Sequence, residues 1–175
     1  MRTERLFFAL WPDDALRTAL VAARDATALA AVNGAAHRPT HPLDLHVTLV
    51  FIGTVETTLR DCIENAADQV TLAPFELTLS AVDSWPRQRI WAVTPDPTPP
   101  PLSQLVDQLQ QNLLRCGLRP ESRRYRPHVT LARKAPPSVA RPLSLNWRVD
   151  GFVLARSGTG RSPSYQILRR WPLSG

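Results

Sequence analysis

The chain is poor in cysteine, with only two residues, and it has no long apolar segment. Cys62 and Cys116 are isolated and show no CxxC spacing, so they do not provide the disulfide framework of a small secreted domain. No stretch approaches the roughly 20 apolar residues of a membrane span, and the first residues lack the pattern of a signal peptide. These absences favour a cytoplasmic protein that makes no membrane contact.

Motifs for common cofactors and metals are also missing. Neither Gly-x-x-x-x-Gly-Lys nor Gly-x-Gly-x-x-Gly occurs, which argues against a P-loop or a dinucleotide-binding fold. The cysteines have no neighbouring base, so a thiol nucleophile has little support. A helix would bring His37 and His41 onto one face near His46, but Pro39 and Pro42 oppose a helix there. We therefore expect neither a metal ion nor a cofactor.

Positive charge is in excess. The 175 residues, 43% of them apolar, suffice for one domain with its own core. The formal net charge is +6, and every basic residue but one is an arginine. Many of the basic residues lie close together in sequence: Arg115, Arg119, Arg123, Arg124, Arg126, Arg133 and Lys134. Such a cluster would attract a polyanion, although a solvated charged loop explains it equally well.

The most informative feature is a four-residue motif that occurs twice. His-Val-Thr-Leu spans residues 46–49 and again residues 128–131. Because side chains alternate between the faces of a β-strand, each His and the Thr two positions later point to the same side. Two such strands side by side would place two imidazoles and two hydroxyls in one cleft. These groups can carry out acid–base chemistry on a phosphate ester without a metal ion.

The elements around the first motif form a strand, a helix and a second strand. The aromatic segment Arg5–Leu10 predicts a strand. Residues 11–14 contain Pro and two acids, which suit a helix start. The Ala/Leu-rich helix that follows runs to about Ala31, where Asn33-Gly34 stops it. The first motif strand then covers Leu45–Ile52.

The same order recurs around the second motif. Residues 89–93 resemble the opening strand, and a helix over residues 102–114 ends at Gly117. The second motif strand starts at His128. The interval from the opening strand to the motif is nearly equal in the two halves, which indicates an internal duplication.

The remaining segments complete an α+β chain. We expect a helix that begins at Gly53-Thr54 and a strand over residues 75–82. In the tail, two more strands at 143–154 and 165–168 are separated by the loop at 158–160. Strands joined through helices and hairpins predict one domain of two pseudo-symmetric lobes over residues 1–175. The two antiparallel sheets would face each other across a central cleft, with the helices outside.

These segments resemble a known superfamily over essentially the whole chain. The paired HxT motifs are similar to those of the 2H phosphoesterases, and specifically of the RNA 2′,3′-cyclic phosphodiesterase, or 2′-5′ RNA ligase, family. The opening segment 5–12 resembles that family's first strand, and segments 45–53 and 125–133 resemble its two motifs with their flanks. The closing segments 165–168 and 171–173 resemble its final strand.

The resemblance implies metal-independent hydrolysis of RNA 2′,3′-cyclic phosphates, tRNA ends included, to 2′-phosphomonoesters, with 2′-5′ ligation as an additional activity. By the family's assignment, His46 is the proton donor and His128 the proton acceptor; the sequence alone is symmetric and does not choose between them. Thr48 and Thr130 would bind the phosphoryl oxygens. Arg133 is a candidate phosphate clamp.

The remaining candidates depend on how side chains are oriented. Arg133 is an odd number of residues from His128, so a regular strand would point it away from the cleft unless the strand ends or bulges near Ala132. Phe8, or its neighbour Phe7, and Tyr125 are candidates to stack on a base.

Other functions fit the same residues. An RNA-end-binding module without useful turnover would also need basic charge and aromatics, but it would not need two imidazoles. The enzyme could instead act on small cyclic phosphates derived from nucleotides or ADP-ribose. In each case we expect a monomer.

Overall fold

The computed structural model describes residues 1–31, 36–119, 121–158 and 160–175. Within these residues the α-helices are α1 (Asp14–Ala30), α2 (Arg60–Asp68) and α3 (Pro100–Leu113). The strands are β1 (Thr3–Leu10), β2 (Arg38–Pro39), β3 (Val47–Glu56), β4 (Phe75–Trp85), β5 (Ile90–Pro95), β6 (Val129–Arg133), β7 (Arg141–Val149), β8 (Gly151–Ser157) and β9 (Tyr165–Pro172). No described helix is both long and apolar enough to cross a membrane.

The strands form two antiparallel lobes that meet at the motif strands. The first lobe has the order β3-β1-β8-β9 and the second the order β6-β5-β4-β7. A single residue pair, Val47 with Val129, joins β3 to β6, so the two lobes are hydrogen-bonded into one continuous sheet. In each lobe the motif strand pairs with the strand that opens that half of the sequence. The α+β class is therefore confirmed, with the two sheets linked at the motif valines.

One face of this sheet carries the core. Fully buried side chains from all three helices, among them Leu20, Ile63 and Leu105, join those of the strands in one apolar cluster that runs through both lobes. Burying each such side chain contributes about 1.5–3 kcal/mol. The opposite face of the first lobe holds only a small cluster around Phe7 and Ala9. We call this second side the cleft face.

The predicted helix start at Gly53-Thr54 is wrong. Both residues belong to β3, which continues to Glu56, and α2 begins only at Arg60 after a short 3-10 turn. Gly53 has φ +85°, and the register of β3 against β1 shifts beside it. This glycine therefore permits an irregularity within the strand rather than ending it.

The tail segment 143–154 is two strands rather than one. β7 pairs with β4 in the second lobe, whereas β8 pairs with β1 in the first. The chain turns between them at Asp150-Gly151, where a Cβ on Gly151 would lie 2.7 Å from the Trp171 carbonyl oxygen. Only glycine allows this close approach. The chain crosses from the second lobe to the first at this turn.

The two predicted helix stops have different outcomes. Gly117 follows α3 and its short 3-10 extension with φ +73°, as a helix-ending glycine should. Asn33-Gly34 lies outside the described residues.

The cysteines are paired rather than isolated. Cys62 of α2 is disulfide-bonded to Cys116 after α3, with Cα atoms 5.8 Å apart. The sequence spacing gave no sign of this contact because it depends on how α2 and α3 pack. The compartment argument drawn from cysteine usage is correspondingly weaker, since one disulfide does not define a compartment.

Candidate active site

The two motif strands lie side by side, as predicted. They are antiparallel and pair at Val47 and Val129. Continuing this register by one residue in each direction places His46 opposite Thr130 and Thr48 opposite His128. Each histidine therefore lies across from the threonine of the other motif, with the joining valines between them.

Both motif strands bulge at their leucine. Ala9 pairs with Thr48 and Phe8 pairs with Val50, which leaves Leu49 as an extra residue. The second motif repeats this pattern: Ala92 pairs with Thr130 and Trp91 with Ala132, which leaves Leu131 unpaired. An extra residue reverses the alternation of side chains beyond it.

This bulge brings Arg133 into the site. In a regular strand Arg133 would face the core, but after Leu131 it points to the same side as Thr130. It lines one cavity together with Thr130 and His46. The corresponding position in the first lobe is Phe51, which pairs with Phe7 on the cleft face. Phe51 is 47% exposed and has the Arg5 guanidinium 5.0 Å above its ring.

His46 is held in one orientation by its backbone and hydroxyl partners. Its Nδ1 lies 2.7 Å from the carbonyl oxygen of Asp44. Because that oxygen can only accept, Nδ1 carries the proton. Nε2 is then the acceptor for the Thr48 hydroxyl at 3.1 Å. This tautomer leaves Nε2 as the reactive nitrogen.

Three aromatic rings enclose His46. Trp11 stacks on the imidazole with centroids 5.0 Å apart, and Phe7 and Tyr165 contact it at 5.1 Å each. This burial lowers the pKa of His46 to about 4, with smaller lowering by His128 and Arg133, opposed by the bond to the Asp44 carbonyl and the Asp44 charge. The His46 imidazole is therefore neutral at neutral pH.

A buried carboxylate holds one of these aromatic rings in place. Asp44, 5% exposed, accepts hydrogen bonds from the backbone N–H of Ser164 at 2.8 Å and of Tyr165 at 3.2 Å. It thereby holds the start of β9, and with it the Tyr165 ring, against His46. No pattern in the sequence connects these residues, which are 120 positions apart.

His128 has a matching but more open environment. Its Nδ1 donates to the carbonyl oxygen of Arg126 at 2.9 Å, so Nε2 is again the free nitrogen. The Trp85 ring contacts the imidazole at 4.7 Å, and the Arg126 guanidinium lies over Trp85 at 4.3 Å. Burial, with Arg133 and Arg126, lowers the pKa of His128 below its usual value, opposed by the backbone hydrogen bond.

Two residues that were predicted to stack on a base, Phe8 and Tyr125, pack against the core instead. Phe8 is wholly buried and packs on Phe152 and Trp171 at 6.0 and 5.9 Å, so it cannot reach a base. Strand alternation puts its neighbour Phe7 on the cleft face instead. The Tyr125 ring packs against the core, and its hydroxyl donates to the Thr48 carbonyl oxygen at 3.0 Å. Because burial raises its pKa, this hydroxyl keeps its proton and holds β3 in place.

The cavity beside His46 is large and basic. Its volume is about 740 Å³, and its wall includes His46, Thr130 and Arg133. The other histidines do not join a metal site: His37 packs on Trp91, and His41 accepts from the Leu43 N–H. Among the described residues, no group of three or more His, Cys, Asp or Glu could hold a metal ion.

Comparison with known proteins identifies the family. Residues 12–161 match the model of the 2′-5′ RNA ligase superfamily. The chain belongs to this superfamily. An Escherichia coli K12 relative named RNA 2′,3′-cyclic phosphodiesterase is 32% identical over 176 residues, covering 98% of this chain and 97% of the relative. A Thermus thermophilus relative of the same name is 30% identical and covers 98% of this chain and 91% of its own.

A solved structure from E. coli has the same fold. The crystal structure of E. coli LigT complexed with 3′-AMP superposes with a TM-score of 0.87 at 29% identity, covering 99% of this chain and all of that one. The resemblance drawn from the two motifs is confirmed.

Proposed function

We propose that this protein hydrolyses RNA 2′,3′-cyclic phosphate ends to 2′-phosphomonoesters, with His46 as proton donor and His128 as proton acceptor. One observation carries the proposal: both imidazoles donate Nδ1–H to a backbone carbonyl two residues earlier. Each Nε2 is thereby left for the cleft between the motif strands. Four superfamily relatives carry the name of this activity.

The reaction is an in-line displacement at phosphorus. His128 Nε2 takes a proton from water as the water oxygen bonds to phosphorus. The bond from phosphorus to O3′ breaks, and His46 Nε2–H protonates O3′. The products are a 2′-phosphate and a free 3′-hydroxyl. Each proton transfer contributes about 10²–10⁴ in rate.

The other motif side chains act on the phosphoryl oxygens. Thr48 and Thr130 donate hydrogen bonds to the charge that develops there, and Arg133 adds charge-assisted bonds. The Thr48 hydroxyl donates to His46 Nε2 in this structure. A protonated donor would displace this bond and release the hydroxyl for the phosphate. Phe51 offers an exposed ring on the same face for a base.

The substrate itself makes His46 a usable donor. With a pKa of about 4, His46 by itself would carry little charge at neutral pH. The negative charge of a bound phosphate favours the imidazolium and raises its pKa. Protonation of His46 is therefore coupled to substrate binding.

The pH dependence should reflect this coupling. The pKa values of both histidines are lowered by burial, and raising the pH removes the donor's proton. We expect a bell-shaped kcat/KM profile centred on the acid side of about pH 6.5. The kcat profile should lie at higher pH because the bound phosphate raises both pKa values. A kcat/KM that still rises above about pH 7.5 would contradict the coupling.

Product identity in EDTA is the direct test of the function. We expect a short RNA ending in a 2′,3′-cyclic phosphate to be converted to the 2′-phosphate. An assay that is specific for a terminal 2′-phosphate distinguishes this product from the 3′-phosphate. Tight binding without turnover would instead support an RNA-end-binding module. The absence of both would redirect the proposal to small cyclic phosphates such as that of ADP-ribose.

The same site accounts for 2′-5′ ligation. If the 5′-hydroxyl of a second RNA end replaces water as the nucleophile, loss of O3′ leaves a 2′-5′ phosphodiester. His128 again takes the nucleophile's proton and His46 again protonates O3′, so no further catalytic group is needed.

We further propose that the whole chain acts as one monomeric, two-lobed domain in the cytoplasm. Both motif strands come from one chain, and the apolar cluster runs through both lobes. A second copy is therefore not needed to complete the cleft. The cytoplasmic location is supported by the RNA substrate class.

A further inference from the structure

Two arginines face each other beside the reactive groups. Arg38 of β2 pairs directly with Arg133 of β6, and both line the cavity next to His46. Like charges directly opposite each other on neighbouring strands destabilise a sheet. In the described part of the chain, neither guanidinium forms an ion pair with a carboxylate. This pair does not stabilise the fold, but it would bind an anion well.

The strand that carries Arg38 is fixed from both sides. The Thr40 N–H donates to the Leu131 carbonyl oxygen at 2.9 Å. On the other side, Arg24 of α1 donates to the Thr40 carbonyl oxygen at 2.8 Å. A two-residue strand adds little to the sheet, so its main effect is to hold Arg38 at the cavity.

The cavity wall as a whole is basic. Four arginines line it, Arg24, Arg38, Arg133 and Arg161, against one carboxylate, that of Asp44. The Asp44 oxygens accept hydrogen bonds from the backbone N–H groups of Ser164 and Tyr165. A cavity of about 740 Å³ has room for more than one phosphate group.

We propose that Arg38 forms a second phosphate subsite, which binds the 5′-phosphate of the nucleoside that carries the cyclic phosphate. This rests on the proposed function, in which Arg133 binds the reacting phosphate. The next phosphate along an RNA strand is on the 5′ carbon of the same ribose. The subsite therefore selects an RNA chain end over a mononucleoside cyclic phosphate.

Two substrates that differ by one phosphate test this subsite. The first is adenosine 2′,3′-cyclic phosphate, and the second is the same compound with a 5′-phosphate. We expect the wild-type kcat/KM to favour the second by about 10- to 100-fold, the effect of a charge-assisted hydrogen-bonded pair. Arg38→Gln should reduce this preference to about threefold or less and leave the first substrate within about twofold.

The control variant removes one arginine charge at a different position in the chain. Arg148→Gln removes an exposed cation on β7 that pairs with Glu76, and it should retain the full preference. The proposal is overturned if the wild type shows no preference. It is also overturned if Arg38→Gln slows both substrates equally, because Arg38 would then belong to the reacting phosphate.

A binding measurement separates this proposal from the proposed function. Calorimetry would compare adenosine 2′,5′-bisphosphate with adenosine 2′-phosphate, which requires no turnover. Tighter binding of the bisphosphate that depends on Arg38 supports the subsite even if neither cyclic substrate reacts. Equal binding of the two ligands overturns it, whether or not the protein is a phosphodiesterase.

Discussion

Replacing either motif histidine by asparagine should lower kcat by about 10²–10⁴, because each replacement removes one proton transfer. The double variant should be little worse than the more damaging single one, since the two groups act in the same step. His37→Asn is the matched control, because His37 packs on Trp91 and is not part of the cavity wall. Thermal melting would verify that each variant is folded. Retention of more than about a tenth of kcat in a motif variant would refute two-histidine catalysis.

The residual activities should also separate the two roles. Removing the proton acceptor eliminates the rising limb of the pH profile, and removing the donor eliminates the falling limb. We therefore expect His128→Asn to lose its acid limb and His46→Asn its alkaline limb. The opposite result would keep the mechanism and exchange the roles of the two histidines, whose pKa values are both lowered by burial.

Arg133→Gln should lower kcat/KM by about 10²–10³, the usual effect of removing one preorganised donor to a developing charge. Arg133→Lys should recover only part of the loss, because lysine keeps the charge but not the two-pronged geometry of the guanidinium. Lys134→Gln provides the control, since it removes the same charge from the adjacent exposed residue.

A pH measurement distinguishes this role of Arg133 from a structural one. The Arg133 charge lowers the pKa of both His46 and His128. Both limbs of the kcat/KM profile should therefore move to higher pH in Arg133→Gln and remain in place in Lys134→Gln. Unchanged limbs together with unchanged kinetics would place the guanidinium outside the reacting complex.

The chemistry of the site could be predicted from the sequence because it is encoded in short local patterns. A His and a Thr two positions apart share a face of any strand, so 46–49 and 128–131 already specified which groups meet. Duplication of the surrounding elements was equally local, since it rests on the order of strand, helix and strand. The family followed from these motifs and their flanks.

Side-chain orientation beyond the motifs could not be predicted in this way. Arg133 reaches the cleft only because Leu131 bulges, and a bulge exists only relative to the partner strand β5. For the same reason Phe51 was not singled out as a site residue. Whether Phe7 or Phe8 faces the cleft depends on which face of β1 the helices cover.

The sequence by itself predicted the pair of imidazoles and the α+β class, because both follow from local periodicity and residue chemistry, and its resemblance to the superfamily implied the reaction type. Only the tertiary structure decided how those imidazoles are tuned. Trp11, Tyr165 and Asp44 come from three separate parts of the chain, and they surround His46 through packing and backbone hydrogen bonds between distant segments. The pKa of a group depends on everything packed around it, and the surroundings of His46 form only when distant segments of the first lobe pack together.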